Sequence, residues 1–202
     1  RLFYSGDLRA HGRKGKLFER LVAHPPENVD VLLMEGSTIG RTGEDNEYPT
    51  EAKLENRFEQ LFAEAKGMSL VWCSGQNIDR IVTIYRAARH VKKQLIVDMY
   101  TASVLRAIGN LKLPRPGFPG FRVFLPWTQK QTIIRKEMFD LAASFKAARI
   151  YPENLASEAA KSVMLFRPSM IKDLEKAECL AEARMIYSLW GGYLKEDRQQ
   201  RF

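Results

Sequence analysis

The chain has 202 residues, and its 32 lysines and arginines against 24 aspartates and glutamates give it a formal charge of +8. Apolar residues make up 45% of the sequence, which is enough for a packed core and excludes the disordered and low-complexity classes. The longest purely apolar runs cover four or five residues, whereas a bilayer requires roughly 20. We therefore expect no membrane partner.

The two cysteines favour a reducing compartment. Cys73 and Cys179 stand far apart, and neither belongs to a Cys-x-x-Cys pair. With no recognisable secretory leader, this pattern predicts a cytoplasmic location and no thiolate zinc site. The basic balance is typical of chains that meet a polyanion, but its positive charges are spread along the sequence. Charge alone leaves a nucleic-acid partner and an ordinary basic globular domain both open.

Hydrophobic periodicity predicts strands and helices in alternation along the chain. In chain order, the predicted strands are 2–8, 29–34, 68–73, 94–97, 122–125, 163–166 and 185–189. The predicted helices are 15–23, 51–65, 78–85, 101–108, 129–147 and 171–180, and the proline- and glycine-rich stretch 113–121 is predicted to be an irregular connector. Strands separated by helices form βα units. The predicted fold class is therefore α/β, with a mostly parallel sheet flanked by helices.

Small polar, acidic and basic residues recur where the predicted strands end. In a parallel sheet the carboxyl ends of the strands are where ligands gather, but turns favour many of the same residues for backbone reasons. Ser74 and Gln76 either lie at a turn whose free amides hold an anion or simply cap the following helix. Arg167 and Ser169 either contact phosphate or form a salt bridge and a helix cap.

Two carboxylates are the sharpest candidates for chemistry. Asp7 follows a predicted strand and a glycine, so its two oxygens either bridge two cations, or stabilise a local turn or cap the coming helix. Glu35 directly follows the apolar run 31–34. A carboxylate there either orients a metal-ligating histidine, by accepting its second ring proton, or turns outward to water.

These two elements together carry a family resemblance. Ser-Gly-Asp-Leu-Arg at 5–9, followed by Met-Glu-Gly-Ser-Thr-Ile-Gly at 34–40, resembles a metallo-β-lactamase-fold hydrolase of the β-CASP type. That family includes ribonuclease J and the endonuclease that cleaves messenger-RNA precursors at their 3′ ends. The resemblance implies that residues 1–43 are a strip of the αββα metallo-β-lactamase domain and that 44–202 are the inserted β-CASP domain.

The resemblance also implies a chemistry. A two-zinc centre would hydrolyse phosphodiester bonds of RNA or another single-stranded nucleic acid, with RNA favoured over DNA, using a metal-bridging hydroxide as the nucleophile. Asp7 would be the bridging metal ligand, and Glu35 the catalytic-centre carboxylate that orients a histidine. The residues assigned to substrate binding are Arg9, His11, Ser37, Thr38, Arg41, Ser74, Gln76, Arg167 and Ser169.

The chain departs from the family in its metal ligands. The His-x-His-x-Asp-His element has no counterpart here, and none of His11, His24 or His90 sits in a matching pattern. We therefore expect an internal fragment of a longer hydrolase, inactive by itself and without tightly bound zinc. The glycine- and serine-rich turn by which ribonuclease J grips a 5′ phosphate is also absent at 165–169, which argues against 5′-end sensing.

Two alternatives stay open. One is a hydrolase of the same fold that acts on a small molecule, and the other is a non-catalytic α/β module that binds a nucleotide or a protein. Apolar side chains near residues 1–35 also leave association into oligomers open.

Overall fold

The computed structural model describes residues 1–6, 12–35 and 49–195. The chain divides into two compact units, Arg1–Leu54 and Glu55–Phe202. The domain boundary predicted after residue 43 lies outside the described residues, so it stays a prediction.

The first unit contains a small parallel strand pair. Strand β1 is Leu2–Tyr4, helix α1 is Gly15–Ala23 and strand β2 is Val31–Leu33. Strands β1 and β2 run parallel with Tyr4 opposite Leu33. The predicted order of strand, helix and strand is therefore confirmed here, with both strands shorter than predicted.

The second unit alternates strands and helices. Its strands are β3 (Ser69–Trp72), β4 (Gln94–Asp98), β5 (Phe121–Phe124), β6 (Ser162–Phe166) and β7 (Arg184–Tyr187). The helices are α2 (Glu51–Glu64, which spans the division between the units), α3 (Ile78–His90), α4 (Met99–Ala107), α5 (Trp127–Arg135), α6 (Phe139–Ala143), α7 (Pro152–Glu158) and α8 (Ile171–Lys176). None of the helices within the described ranges is long and apolar enough to cross a membrane.

The strands of the second unit form one sheet in the order β5-β4-β6-β3-β7, and every pairing in it is parallel. Leu70, Met164 and Ile96 lie side by side across three strands, and the residues before them lie side by side on the opposite face. All six are buried, so both faces of the sheet are covered, as parallel sheets require. The predicted α/β class with a parallel sheet flanked by helices is confirmed.

The predicted helix 129–147 is wrong in its extent. It is divided into α5, α6 and a short 3-10 turn at 146–148. Glu137 adopts a left-handed conformation with φ of 52°, and Met138 N–H donates to the Ile133 carbonyl at 3.0 Å. This hydrogen bond closes a Schellman motif that ends α5. Glycine usually occupies the left-handed position, so a glutamate there gave no stop signal in the sequence.

Gly67 lies against the backbone that leads into β7. A Cβ built on Gly67 would lie 2.6 Å from the carbonyl carbon of Glu182, closer than real contacts allow. We predict that Gly67→Ala lowers the free energy of unfolding by about 2 kcal/mol, because a backbone segment must move to admit the methyl group. Chemical denaturation measures this loss. Gly191→Ala is the matched control, because nothing lies within 4 Å of its Cβ position; equal losses in both variants would contradict the prediction.

Lys93 is a buried lysine whose charge bears on stability. Its side chain is 9% exposed, and Nζ donates to the Ala65 carbonyl at 3.0 Å. Burial lowers the pKa of Lys93 from its ordinary value of 10.5. Between the lowered pKa and 10.5 the unfolded chain therefore binds more protons than the folded chain, so this group makes stability rise with pH in that window.

We predict that this pH dependence disappears in Lys93→Met. The free energy of unfolding of the wild type should rise relative to that of K93M as the pH is raised toward 10.5, measured by denaturation at several pH values. The exposed Lys112 supplies the control variant K112M, which should follow the wild type. A wild-type-to-K93M difference that stays constant with pH would refute the assignment.

Candidate functional site

The carboxyl ends of β1 and β2 meet in the first unit. Ser5 N–H donates to the Leu33 carbonyl at 3.0 Å, and Glu35 N–H donates to Ser5 Oγ at 3.3 Å. Gly6 follows with a left-handed φ of 58°, where a side chain would be strained. The half-buried Glu35 and the start of the Gly-Asp element therefore lie at one edge of the strand pair. The other candidates of this region, Asp7, Arg9, His11, Ser37, Thr38 and Arg41, lie outside the described residues.

The second unit has a cavity of about 490 Å³ at the carboxyl edge of its sheet. Residues after β3, β4, β6 and β7 line it, among them Ser74, Gln76, Tyr100, Arg167 and Leu189. Strand order explains why a cavity forms at this place. From β4 the chain moves outward to β5, whereas from the adjacent β6 it crosses β3 in the opposite direction to reach β7. Adjacent strands whose connections diverge in this way leave a crevice between their loops.

An ion pair between a buried carboxylate and a partly exposed arginine forms the base of this region. Asp98 is 1% exposed, and its Oδ2 lies 2.5 Å from Arg167 Nε. The same carboxylate accepts from Thr101 N–H at 2.6 Å, which caps α4, and from Gln129 Nε2 at 2.9 Å. Arg167 Nη2 also donates to Thr101 Oγ1 at 3.3 Å. The salt-bridge interpretation of Arg167 is therefore confirmed, and the pair joins the ends of β4 and β6.

An aromatic ring and a polar loop complete the cavity. The Arg167 guanidinium carbon lies 5.1 Å from the centroid of the Tyr100 ring. Gln76 Nε2 donates to the Tyr100 hydroxyl at 2.6 Å, and Ser74 Oγ accepts from Gln76 N–H at 3.3 Å. A Cβ on Gly75 would lie 2.7 Å from Thr101 Oγ1, so only glycine lets this loop approach the ion pair so closely.

The cavity gathers three of the four substrate-binding candidates that the structure describes in the second unit. Ser74, Gln76 and Arg167 line it, whereas Ser169 lies exposed in a short turn and does not cap the following helix. Helix α3 is capped by Asn77, whose side chain accepts from Arg80 N–H at 3.2 Å. Ser74 and Gln76 are therefore not the capping residues of that helix.

Sequence reasoning missed three residues of this site. Asp98 gave a usable signal, because it is a carboxylate at the end of a predicted buried strand. Tyr100 and Gln129 gave none, since an aromatic residue just before one predicted helix and an amide at the start of another are common surface features.

One further cluster in the second unit joins α2 to α3. The ligand atoms of Glu55, Glu59 and His90 lie within 4.8 Å of one another, the only such group found among the residues that the structure describes. Arg86 Nε pairs with Glu55 at 3.0 Å, and His90 Nδ1 lies 2.5 Å from Glu59. Each carboxylate has a partner within the protein, and the positive charge of Arg86 beside the cluster disfavours the binding of a metal cation. We interpret it as an ion-pair network between the two helices.

Comparison with known proteins does not assign the chain to a family. No protein-family model matches it, and a search of curated proteins returns no match. Its function is therefore inferred from its own residues.

The ion pair predicts a large stability effect. Arg167→Met leaves the buried Asp98 carboxylate without its cation, so we expect the free energy of unfolding to fall by about 3 kcal/mol. Asp98→Asn added to R167M should recover part of that loss, because the uncompensated charge is then removed. Denaturation curves measure both effects. The exposed pair of Lys66 with Glu182 supplies the control K66M, expected to change stability by less than about 0.5 kcal/mol; a loss that small in R167M would refute the prediction.

Proposed function

We propose that the chain is part of a metal-dependent hydrolase of the metallo-β-lactamase superfamily, of the β-CASP type, that cleaves phosphodiester bonds of RNA or another single-stranded nucleic acid. The observation that carries the proposal is the hydrogen bond from Glu35 N–H to Ser5 Oγ. It holds the Glu35 element beside the residues that lead into Asp7. A shared acidic site requires this proximity, because carboxylates at opposite ends of the strand pair would serve no common metal centre.

The apolar surface of the first unit supports a larger parent domain. Within that unit Val31, Leu32 and Leu33 are each about half exposed, although an apolar run of this kind is typical of a strand buried on both faces. A pair of short parallel strands is also too small to be stable alone. In our proposal, polypeptide outside this chain covers these side chains and completes the domain.

The described residues do not themselves form a two-zinc centre. The donor atoms that zinc favours, imidazole nitrogen and thiolate sulfur, are not gathered around Glu35 in the part of the chain that the structure describes. The proposal therefore assigns the histidine ligands to polypeptide outside this chain. Bound metal ions supply an activated water and charge stabilisation in such centres. This chain contributes the Asp7 carboxylate as a ligand and the Glu35 carboxylate as an acceptor that orients a histidine.

The decisive test uses the complete reading frame that contains this chain. We expect zinc-dependent hydrolysis of single-stranded RNA, reduced about 100-fold or more in Asp7→Asn and about 10- to 100-fold in Glu35→Gln, since a lost outer-shell partner has effects of that size. Glu19→Gln, an exposed acid on α1, is the matched control and should keep full activity. Single-stranded DNA, a lactam and a thioester are assayed beside RNA. Turnover of a lactam or thioester alone would favour the small-molecule hydrolase, and no turnover at all would favour the binding module.

The 202-residue chain alone gives a separate prediction. We expect no hydrolysis of RNA and no zinc binding with nanomolar affinity, because one bridging carboxylate and its neighbour hold a metal ion weakly. Isothermal titration with zinc measures the affinity. A nanomolar dissociation constant would show that the chain contains a full ligand set and would contradict the division of ligands proposed above.

A further inference from the structure

The guanidinium of Arg167 has one edge engaged and one edge open. Nε pairs with Asp98 and Nη2 donates to Thr101, whereas Nη1 has no partner among the described residues. The side chain lines the cavity, and its plane is held by the ion pair and by the Tyr100 ring. An oxyanion in the cavity can therefore accept a hydrogen bond from Nη1 without reorganising the arginine, which makes the contact strong and directional.

The rest of the cavity suits an aromatic heterocycle. Tyr100, Trp72 and Leu189 supply ring and aliphatic surface, and the hydrogen bond from Gln76 fixes the Tyr100 hydroxyl. Tyr100 is 42% exposed, so much of its surface remains available to a ligand. Stacking of bases on aromatic side chains is the common way in which proteins hold single strands. The volume of about 490 Å³ falls in the range of small-ligand sites, about 300 to 1,000 Å³.

The charge at this site selects the kind of anion. The Asp98 carboxylate neutralises Arg167 from behind, so the local net charge of the pair is close to zero. A phosphomonoester is mostly dianionic above pH 7. Its second charge would be repelled by the buried carboxylate, because Arg167 is the only charged side chain among the described residues that line the cavity. A phosphodiester has a single negative charge and places it on the open edge of the guanidinium.

We propose that this cavity binds one internal nucleotide of a single strand, with its base against Tyr100 and its phosphodiester on Arg167. The proposal rests on the proposed function and refines it, because it places an internal phosphate at the carboxyl edge of the second unit's sheet. The loop 74–76 forms the rim of the site, and Gly75 is the residue that allows its close approach to the ion pair.

The first experiment compares the affinity for a phosphodiester with the affinity for a phosphomonoester, using ligands that carry the same base. The 202-residue chain, with EDTA present, is titrated calorimetrically with adenosine 5′-(methyl phosphate), AMP and adenosine at pH 8. We expect the methyl ester to bind roughly threefold or more tighter than AMP, and about 10-fold tighter than adenosine, which lacks the charge-assisted hydrogen bond. Tighter binding of AMP, or equal binding of adenosine and the ester, would overturn the proposal.

Variants then assign the two contacts separately. Arg167→Lys keeps a cation for Asp98 but loses the open planar edge, so it should weaken the ester about 10-fold and leave adenosine unchanged. Tyr100→Ala should weaken both ligands about 10-fold, whereas Tyr100→Phe should retain the stacking. Arg106 also lies over an aromatic ring, 4.4 Å from the Phe145 centroid, and donates to Ser144 Oγ. Its variant R106K is the matched control and should change neither affinity.

Thermal unfolding of each variant shows whether it is folded, so that a loss of affinity is not confused with a loss of structure. If R167K does not fold, the comparison of Y100A with Y100F still tests the site, because both variants keep Asp98 and Arg167 and Y100F also keeps the ring beside the guanidinium. Equal affinities in Y100A, Y100F and the wild type would refute the base contact.

A last measurement distinguishes a strand from a free nucleotide. Hexa-adenylate with hydroxyl ends should bind at least as tightly as the methyl ester, because every internal phosphate in it is a diester. Binding about 10-fold weaker than the ester would identify a site for a free nucleotide and overturn the proposal. These titrations need no metal and no turnover, so their outcome is independent of the hydrolysis assays. Binding as proposed without hydrolysis by the complete protein would remove the proposed enzyme function and leave the nucleotide site intact.

Discussion

The buried Asp98 carboxylate is the constraint on which the carboxyl edge of the larger unit depends. It ends β4, caps α4 through Thr101, receives Gln129 from α5, and holds Arg167 at the end of β6. A charge this deeply buried is costly unless it is paired and hydrogen-bonded. Three separate stretches of chain are therefore fixed around one side chain: the junction of β4 and α4, the start of α5, and the end of β6. The same pairing limits the chemistry of the site, because most of the positive charge of Arg167 is already balanced inside the protein.

Periodicity predicted most of the architecture, because burial on both faces of a parallel sheet leaves short apolar runs that are easy to recognise. Helix ends were harder to predict. Lys92, Glu137 and Glu178 all adopt left-handed conformations just after α3, α5 and α8, positions where glycine is the usual signal. These positions are occupied by exposed charged residues, which give no sign in the sequence that the helix ends there. A single helix was accordingly predicted across 129–147, and α7 was not predicted at all.

The candidate site was partly predictable for a similar reason. Ser74, Gln76 and Arg167 follow strands, so their meeting at one edge follows from the parallel arrangement. Asp98 and Arg167 are far apart in the sequence. Which of the several acidic and basic residues pair with each other depends on the order of the strands in the sheet. That order, with β6 inserted between β3 and β4, is a tertiary property that local patterns do not encode. In the first unit, a hydrogen bond from Glu35 N–H to Ser5 Oγ joins the ends of β1 and β2, whereas the roles assigned to Asp7 and Glu35 stay predictions.

Strand β7 lies at the edge of the sheet, and this position affects the stability of one wall of the cavity. Leu189, one of its walls, follows a four-residue strand that pairs with β3 alone and stands at the margin of the sheet. Peripheral strands of this kind detach at lower free energy than central ones. Amide hydrogens of β7 should therefore exchange with solvent sooner than those of β6. Fraying at this margin would widen the cavity on the Leu189 side, whereas Arg167 follows β6 in the centre of the sheet.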